Sequence, residues 1–230
     1  MFFWNSDIRL RESGLLQGYT DYHCHLLPGV DDGVQQTTMT YGILDLMQQH
    51  GVKDVWFTPH VMEDMPNTPE DLRKVMDSLD LSRYDMNITL SAENMLDANF
   101  SVERARQLPH ANEGILVETS YFTPPYDLDG MLSDIMSSGL YPTLAHPCRY
   151  EYMGEKDYER LLEMRIRFQL NLPSVCGLYG KHVQKKAFWL MDHGYYSITG
   201  TDTHSLRQYE ALLETKISRK RIKQLENIIR

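Results

Sequence analysis

Six short apolar runs in this chain lead directly into a histidine or a carboxylate. They are Tyr22-His23-Cys24-His25, Trp56-Phe57-Thr58-Pro59-His60, Leu90-Ser91-Ala92-Glu93, Ile115-Leu116-Val117-Glu118, Thr143-Leu144-Ala145-His146 and Ile198-Thr199-Gly200-Thr201-Asp202-Thr203-His204. Imidazole mixed with carboxylate suits zinc, manganese or iron, and the absence of paired cysteines argues against a structural zinc site. On an extended strand, positions i and i+2 share a face. His23 and His25 can therefore hold one ion together, and Asp202 and His204 can act as a second pincer. Asp21 shares the face of His23 and reads as a deeper acceptor that fixes an imidazole tautomer.

Each of these residues also has an ordinary reading. A single His-x-His is common, a lone His60 is more often a satisfied buried histidine, and Glu93 and Glu118 can cap helices or pair with arginines. It is their joint recurrence at strand ends that points to a multinuclear metal site. His50, His110, His182 and His193 lack this context and read as surface or structural. Cys24 alternates away from its flanking histidines and reads as packing, and Tyr195-Tyr196 as core or rim. Gly29, Asp31, Asp32 and Gly33 form a turn signal, from which Asp32 can project a carboxylate into the site.

The elements that would bring these residues together are strands near Tyr19–His23, Val55–Thr58, Ile88–Ser91, Ile115–Glu118, Thr143–Ala145, Phe168–Leu170 and Ser197–Thr199. Between the first two, Met39, Ile43, Leu46 and Met47 form a helical stripe, with Gly51 at its C-terminal cap. Val183, Ala187, Leu190 and Met191 form another, followed by Gly194. Strands alternating with helices predict a parallel α/β sheet, open or closed into a barrel. In a barrel, residues at the C-terminal ends of the strands converge on one face, where active sites of that architecture lie.

The 230 residues are 42% hydrophobic and 24% charged, ordinary for one well-filled globular domain. A net charge of −9 argues against a broad nucleic-acid surface. The basic stretch Lys216–Arg230 reads as a solvated terminal helix with Ile217, Ile222, Leu225 and Ile229 on its packed face. Cys24, Cys148 and Cys176 are too few for a disulfide framework. The start, Met1-Phe2-Phe3-Trp4-Asn5, is too short for a signal peptide core, and no segment approaches the roughly 20 apolar residues of a membrane span. A reducing, cytoplasmic setting fits.

The run Asp21-Tyr22-His23-Cys24-His25-Leu26-Leu27-Pro28-Gly29-Val30-Asp31-Asp32-Gly33 resembles the opening motif of the polymerase-and-histidinol-phosphatase (PHP) domain. More narrowly, the chain resembles the bacterial manganese-dependent tyrosine phosphatases found with capsule and exopolysaccharide systems. Thr58-Pro59-His60, Ala145-His146-Pro147 and Asp202-Thr203-His204 follow in the order of that family. The resemblance runs over residues 19–230 and leaves 1–18 as an N-terminal extension. It implies a distorted seven-stranded (β/α) barrel of the TIM-like PHP type, a single domain holding up to three metal ions. His23, His25, Glu93 and Asp202 would surround one ion, with Glu93 bridging to a second completed by Glu118 and His146. Asp32, His60 and His204 would hold the third. Arg149 matches the phosphate-binding arginine of the family, and Arg207 is the nearest candidate for its second arginine, although out of register. Val61 stands where a further histidine is common, Cys148 where a glutamate is usual, and Thr201-Asp202-Thr203-His204 where Ser-Asp-Ala-His is commoner.

The resemblance implies hydrolysis of a phosphomonoester, with phosphotyrosine in a protein as the favoured substrate and a tyrosine autokinase of polysaccharide export as the partner. A phenolate leaves with a pKa near 10 and needs little general-acid help. The cysteine-dependent route requires Cys-x5-Arg, and the corresponding positions here are Val30, Gly154 and His182. Histidinol phosphate or a nucleotide would be the substrate of other members of the same fold. A metal-bearing regulatory module without turnover is the non-enzymatic alternative.

Overall fold

The computed structural model describes residues 7–229, so the apolar start Met1–Asn5 and the last residue, Arg230, lie outside the described residues. The strands are β1 (Asp7–Arg9), β2 (Thr20–Cys24), β3 (Asp54–Phe57), β4 (His60–Val61), β5 (Asn87–Leu90), β6 (Glu93–Met95), β7 (Gly114–Glu118), β8 (Tyr141–Leu144), β9 (Arg167–Asn171), β10 (Tyr196–Gly200) and β11 (Lys216–Ser218). The helices are α1 (Thr37–Gln49), α2 (Pro69–Asp77), α3 (Val102–Ala105), α4 (Leu128–Ser137), α5 (Glu155–Glu163), α6 (Leu172–Val175), α7 (Gly180–Asp192), α8 (Leu206–Glu214) and α9 (Arg219–Ile229). Each expected strand position is occupied, with bounds shifted by one or two residues.

The strands form two parallel sheets, ordered β2-β3-β5 and β10-β9-β8-β7-β6-β4, and an antiparallel pair β1-β11. The expected single ring is divided. Pro59, which has no N–H to donate, separates β3 from β4, and Ser91-Ala92 separates β5 from β6. Across this break the pairing continues in register, since β3 pairs with β5 and β4 pairs with β6. On the other side, the segment after β10 meets β2 and its continuation through a parallel bridge between Cys24 and Thr203. There Asp202 N–H donates to His23 O at 2.7 Å and His25 N–H to Thr203 O at 2.9 Å.

The central strands β7, β8 and β9 are largely buried, as parallel strands covered by crossover helices tend to be, whereas β5 and β10 keep exposed positions at Asn87 and Ser197. All of β7 is buried, and Phe57, Val117, Leu144 and Phe168 are sealed inside, each contributing roughly 1.5–3 kcal/mol by leaving water. The first helical stripe is rotated from the expected one: α1 buries Thr40, Ile43, Leu44 and Met47, while Met39 is exposed. The apolar spacing Ile43-Leu44-Met47 competes with Met39-Ile43-Leu46, and packing selects the former. Gly51 and Gly194 adopt left-handed φ of +82° and +70° immediately after the caps of α1 and α7, where a glycine ends a helix at least cost. In the N-terminal segment, β1 pairs with β11 and Leu10, Leu15 and Leu16 enter the core. The basic stretch therefore begins as a strand before becoming α9, whose Ile222 and Leu225 are buried.

Candidate metal centre

The C-terminal ends of the parallel strands gather the predicted residues at one place. His23 lies on β2 with His25 just beyond it, His60 opens β4, Glu93 opens β6, Glu118 closes β7, His146 follows β8 and Asp202 follows β10. Glu93, fully buried, is the hub. Its Oε2 lies 3.1 Å from His23 Nε2, 3.3 Å from His25 Nε2 and 3.2 Å from His60 Nδ1, and its Oε1 lies 3.1 Å from His146 Nε2. Glu118 Oε1 is 2.9 Å from His60 Nδ1. Asp32 Oδ1 is 3.4 Å from the Nε2 atoms of both His60 and His204. Asp32 is the exposed member, with 59% of its side chain accessible, and closes the cluster from the solvent side.

Asp202 divides its carboxylate between two tasks. Its Oδ1 faces His23, His25 and His204 at 3.4–3.5 Å. Its Oδ2 accepts hydrogen bonds from Arg149 at 2.7 Å and Asn171 at 2.9 Å. The Arg149 guanidinium lies between two aromatic rings, 4.4 Å from the centroid of Tyr121 and 4.5 Å from that of Tyr179, where a flat cation is attracted to both faces. These groups line a cleft of about 290 Å³ with Asp32, His60, Glu93, His146, Asp202, His204 and Gln208.

Two of the cluster residues hold backbone conformations that L side chains seldom adopt. His146 has φ of +35° and Asp202 φ of +52°, a strain of about 1–3 kcal/mol each that surrounding structure must offset. Close packing imposes two glycines. A Cβ on Gly33 would come within 2.4 Å of His25 O, and one on Gly200 within 2.5 Å of His23 Cβ.

The electrostatics follow from this crowding. Burial draws the imidazole of His23 down, but the carboxylates of Glu93 and Asp202 outweigh it and lift its pKa to about 9. Burial likewise opposes His60, whose close approach to the Glu118 carboxylate and the charge of Glu93 raise it to about 10. His146, buried beside the Arg149 cation, falls to about 4. Glu118 is pushed up by burial and by the Glu93 charge, whereas Asp32 is lowered to about 2, chiefly by its hydrogen bond to His204.

The donor set fits metal ions better than hydrogen bonding alone. Glu93 Oε2, Glu118 Oε1 and His60 Nδ1 are buried without a well-directed hydrogen-bond partner, although each has neighbours within about 3 Å. His23 Nε2 and His25 Nε2 face each other at 3.1 Å. Lone pairs turned toward shared points are what cations require. Among the described residues, ligand atoms close enough to share an ion occur in three groups: His23, His25 and Glu93; His60, Glu93 and Glu118; and His25, Asp32, His60 and His204.

Asp21 and Arg207 lie elsewhere than expected. Asp21 fixes no imidazole: it accepts from Thr201 N–H at 2.8 Å, Thr201 Oγ1 at 2.6 Å and His23 N–H at 3.2 Å, tying β2 to β10. The carboxylate on an imidazole is Asp31, 2.8 Å from His25 Nδ1 and also bonded to His60 N–H. Arg207 is exposed on α8 and does not line the cleft, because α8 starts at Leu206 and turns Gln208 inward instead. His50, His110, His182 and His193 lie outside the cleft, and Cys24 is buried with its thiol on Trp56 O. Tyr121, Asn171, Tyr179 and Gln208 are site residues that the sequence did not single out. For Tyr121 a positional signal existed, since it lies three residues past Glu118.

The chain matches the family described as "Capsular polysaccharide synthesis, CpsB/CapC" over residues 19–225. Tyrosine-protein phosphatase YwqE of Bacillus subtilis is 24% identical to it over 197 residues, covering 81% of this chain and 78% of YwqE. Tyrosine-protein phosphatase CpsB of Streptococcus pneumoniae is 27% identical over 202 residues, covering 81% and 83%. The fold is similar to one of the crystal structures of YwqE and CpsB, described as unique metal-dependent tyrosine phosphatases, with a TM-score of 0.77, 20% identity and coverage of 91% of this chain and 90% of that one.

Proposed function

The chain belongs to the capsular polysaccharide synthesis CpsB/CapC family, and on that footing we propose that it hydrolyses phosphotyrosine in a protein of capsule or exopolysaccharide synthesis. The observation that carries the proposal is the closure of His23, His25, His60 and His146 around the two oxygens of Glu93, with Arg149 at the mouth of the same cleft. The ligands are His23, His25, Asp32, His60, Glu93, Glu118, His146, Asp202 and His204, arranged for a cluster of three cations. Manganese is the ion we assign, in keeping with an oxygen- and imidazole-rich set without thiolate. The strand ring is read as a distorted seven-stranded barrel over residues 19–230. Supporting that reading are the Cys24–Thr203 bridge on one side and the continuous β3/β4 and β5/β6 register on the other.

When bound, the cations supply Lewis acidity toward phosphoryl oxygens and lower the pKa of water. The residues of the chain do the rest. The two tyrosine rings hold the Arg149 guanidinium flat at the cleft mouth, where its free N–H groups can take the equatorial phosphoryl oxygens as charge develops. Asp31 fixes the His25 ring by its Nδ1, leaving Nε2 for the centre. Asp202 keeps Arg149 and three imidazoles in one frame.

A tyrosine autokinase of polysaccharide export is the partner we assign, in the cytoplasm. No helix among the described residues is long and apolar enough to cross a membrane, and Cys24, Cys148 and Cys176 are free and buried. The test compares hydrolysis of a phosphotyrosine peptide, histidinol phosphate and a nucleotide, before and after chelation. Loss of all phosphotyrosine turnover with EDTA and its return with Mn²⁺ are expected. Full activity in metal-free protein, or a preference for either of the other esters, would overturn the proposal.

A further inference from the structure

Every polar atom of the Gln208 amide is committed to the protein. Its Oε1 accepts the backbone N–H of His204 at 2.7 Å. Its Nε2 donates to the carbonyl of Asp202 at 3.1 Å and to the Tyr179 hydroxyl at 3.2 Å. The first two bonds straddle Thr203, so one side chain bridges the backbone between two proposed ligands. That segment needs an external brace, because Asp202 stands at φ +52°, a region L residues rarely occupy. The same Asp202 carbonyl accepts from His204 Nδ1 at 2.9 Å, which fixes that ring and turns its Nε2 toward Asp32. Through Tyr179, the amide also touches the ring stacked on Arg149.

We infer that Gln208 is a positioning residue: its amide clamps Asp202 and His204 in ligating geometry and does not itself grip phosphate. This rests on the metal-centre reading above. Only a side-chain amide of this length both accepts from one backbone N–H and donates twice from the other end. A carboxylate at this place keeps the acceptor, loses both donors and faces the Asp202 carbonyl with like charge. Orientation of this kind, one bond removed from the ion, commonly changes metal affinity about 10- to 100-fold. Ser205 starts α8 by accepting the Gln208 N–H at 3.2 Å, so the backbone of residue 208 stays anchored when its side chain is replaced.

The test is titration of Mn²⁺ into chelator-stripped full-length protein by calorimetry, for wild type, Gln208→Ala and Gln208→Glu, with the thermal midpoint of each cation-free protein measured alongside. Both variants are expected to lose about 10- to 100-fold affinity at one class of sites, with the remaining sites and the cation-free midpoint close to wild type. Wild-type affinity in both variants overturns the inference. So does a collapse of the cation-free midpoint with equal loss at all sites, or failure of both variants to fold, since either assigns Gln208 a role in general stability. A wild-type protein that binds no Mn²⁺ would instead sink the metal-centre reading.

Discussion

Arg149→Ala removes a guanidinium that is paired to Asp202 at 2.7 Å and stacked between Tyr121 and Tyr179. Two effects follow, and they are separable. Loss of a preorganised donor aimed at developing charge lowers kcat about 100- to 1000-fold. Loss of stacking removes about 0.5–1 kcal/mol for each ring, and loosening of the ion pair adds to this, tempered because Asn171 still donates to Asp202 Oδ2. A total of about 2–4 kcal/mol corresponds to a fall in Tm of roughly 5–15 °C for a chain of this size. Metal content should not fall, because no proposed ligand is removed and a neighbouring positive charge is. Arg149→Lys should regain stability through the retained charge, but its rate should stay well below wild type because it lacks the planar fork. The assay is steady-state hydrolysis of a phosphotyrosine peptide at saturating substrate, with metal content measured on the same samples. A kcat for Arg149→Ala within about threefold of wild type, at equal metal content, would refute the role assigned to this residue.

Four further outcomes follow from the same geometry. In cation-free protein at pH 7, His23 and His60 carry protons, their pKa values lying at about 9 and about 10, whereas metal ligation needs neutral imidazole. Mn²⁺ loading should therefore release protons, and affinity should rise from pH 6 to pH 9; calorimetry in buffers of different ionisation enthalpy that detects no release would contradict this. The sign for stability of the cation-free protein is the reverse. Imidazolium–carboxylate pairing is fully present below about pH 6.5 and is lost as pH rises through about 9 and 10, visible as a falling Tm. Asp31→Asn should weaken Mn²⁺ binding about 10- to 100-fold by releasing the His25 ring, with unchanged affinity in the titration as the contrary result. Arg207→Ala should leave kcat and KM for the peptide within twofold or so of wild type, as expected of an exposed side chain outside the cleft; a large loss of kcat would return that residue to the site.

The sequence made the hub of the site legible because metal ligands must be histidine or carboxylate and parallel strands deliver them at their C-terminal ends. His60 and Glu93 each have an ordinary reading alone, and only the recurrence of such residues after apolar runs marks them. What supports them was not legible, for a physical reason. Gln169 accepts His146 N–H at 2.9 Å and Asn171 donates to Asp202, but amides carry no signal of their own in a single sequence. Tyr179 carries no distinguishing signal, and Tyr121 only its place after Glu118, until Arg149 is seen against their rings. Asp31 and Asp32 are adjacent carboxylates in one turn, and only the direction of that turn decides that Asp31 faces His25 and Asp32 the cleft. The strand positions were legible one by one, but the division into two parallel sheets at Pro59 and Ser91-Ala92 depends on which backbone groups remain to pair. The helical stripe of α1 was misplaced by about one position because apolar residues lie on both sides of it.

The account stands most directly on Glu93, whose two oxygens face four imidazoles and which belongs to two of the three ligand groups. The deciding measurement is the Mn²⁺ stoichiometry of wild type and Glu93→Gln, reconstituted side by side from chelated protein and read by mass spectrometry of the metal. Wild type is expected to hold a multinuclear complement. The variant, isosteric but without the bridging charge, is expected to lose the ions that share Glu93, and with them phosphotyrosine hydrolysis. Equal metal content in the two proteins would contradict the centre described.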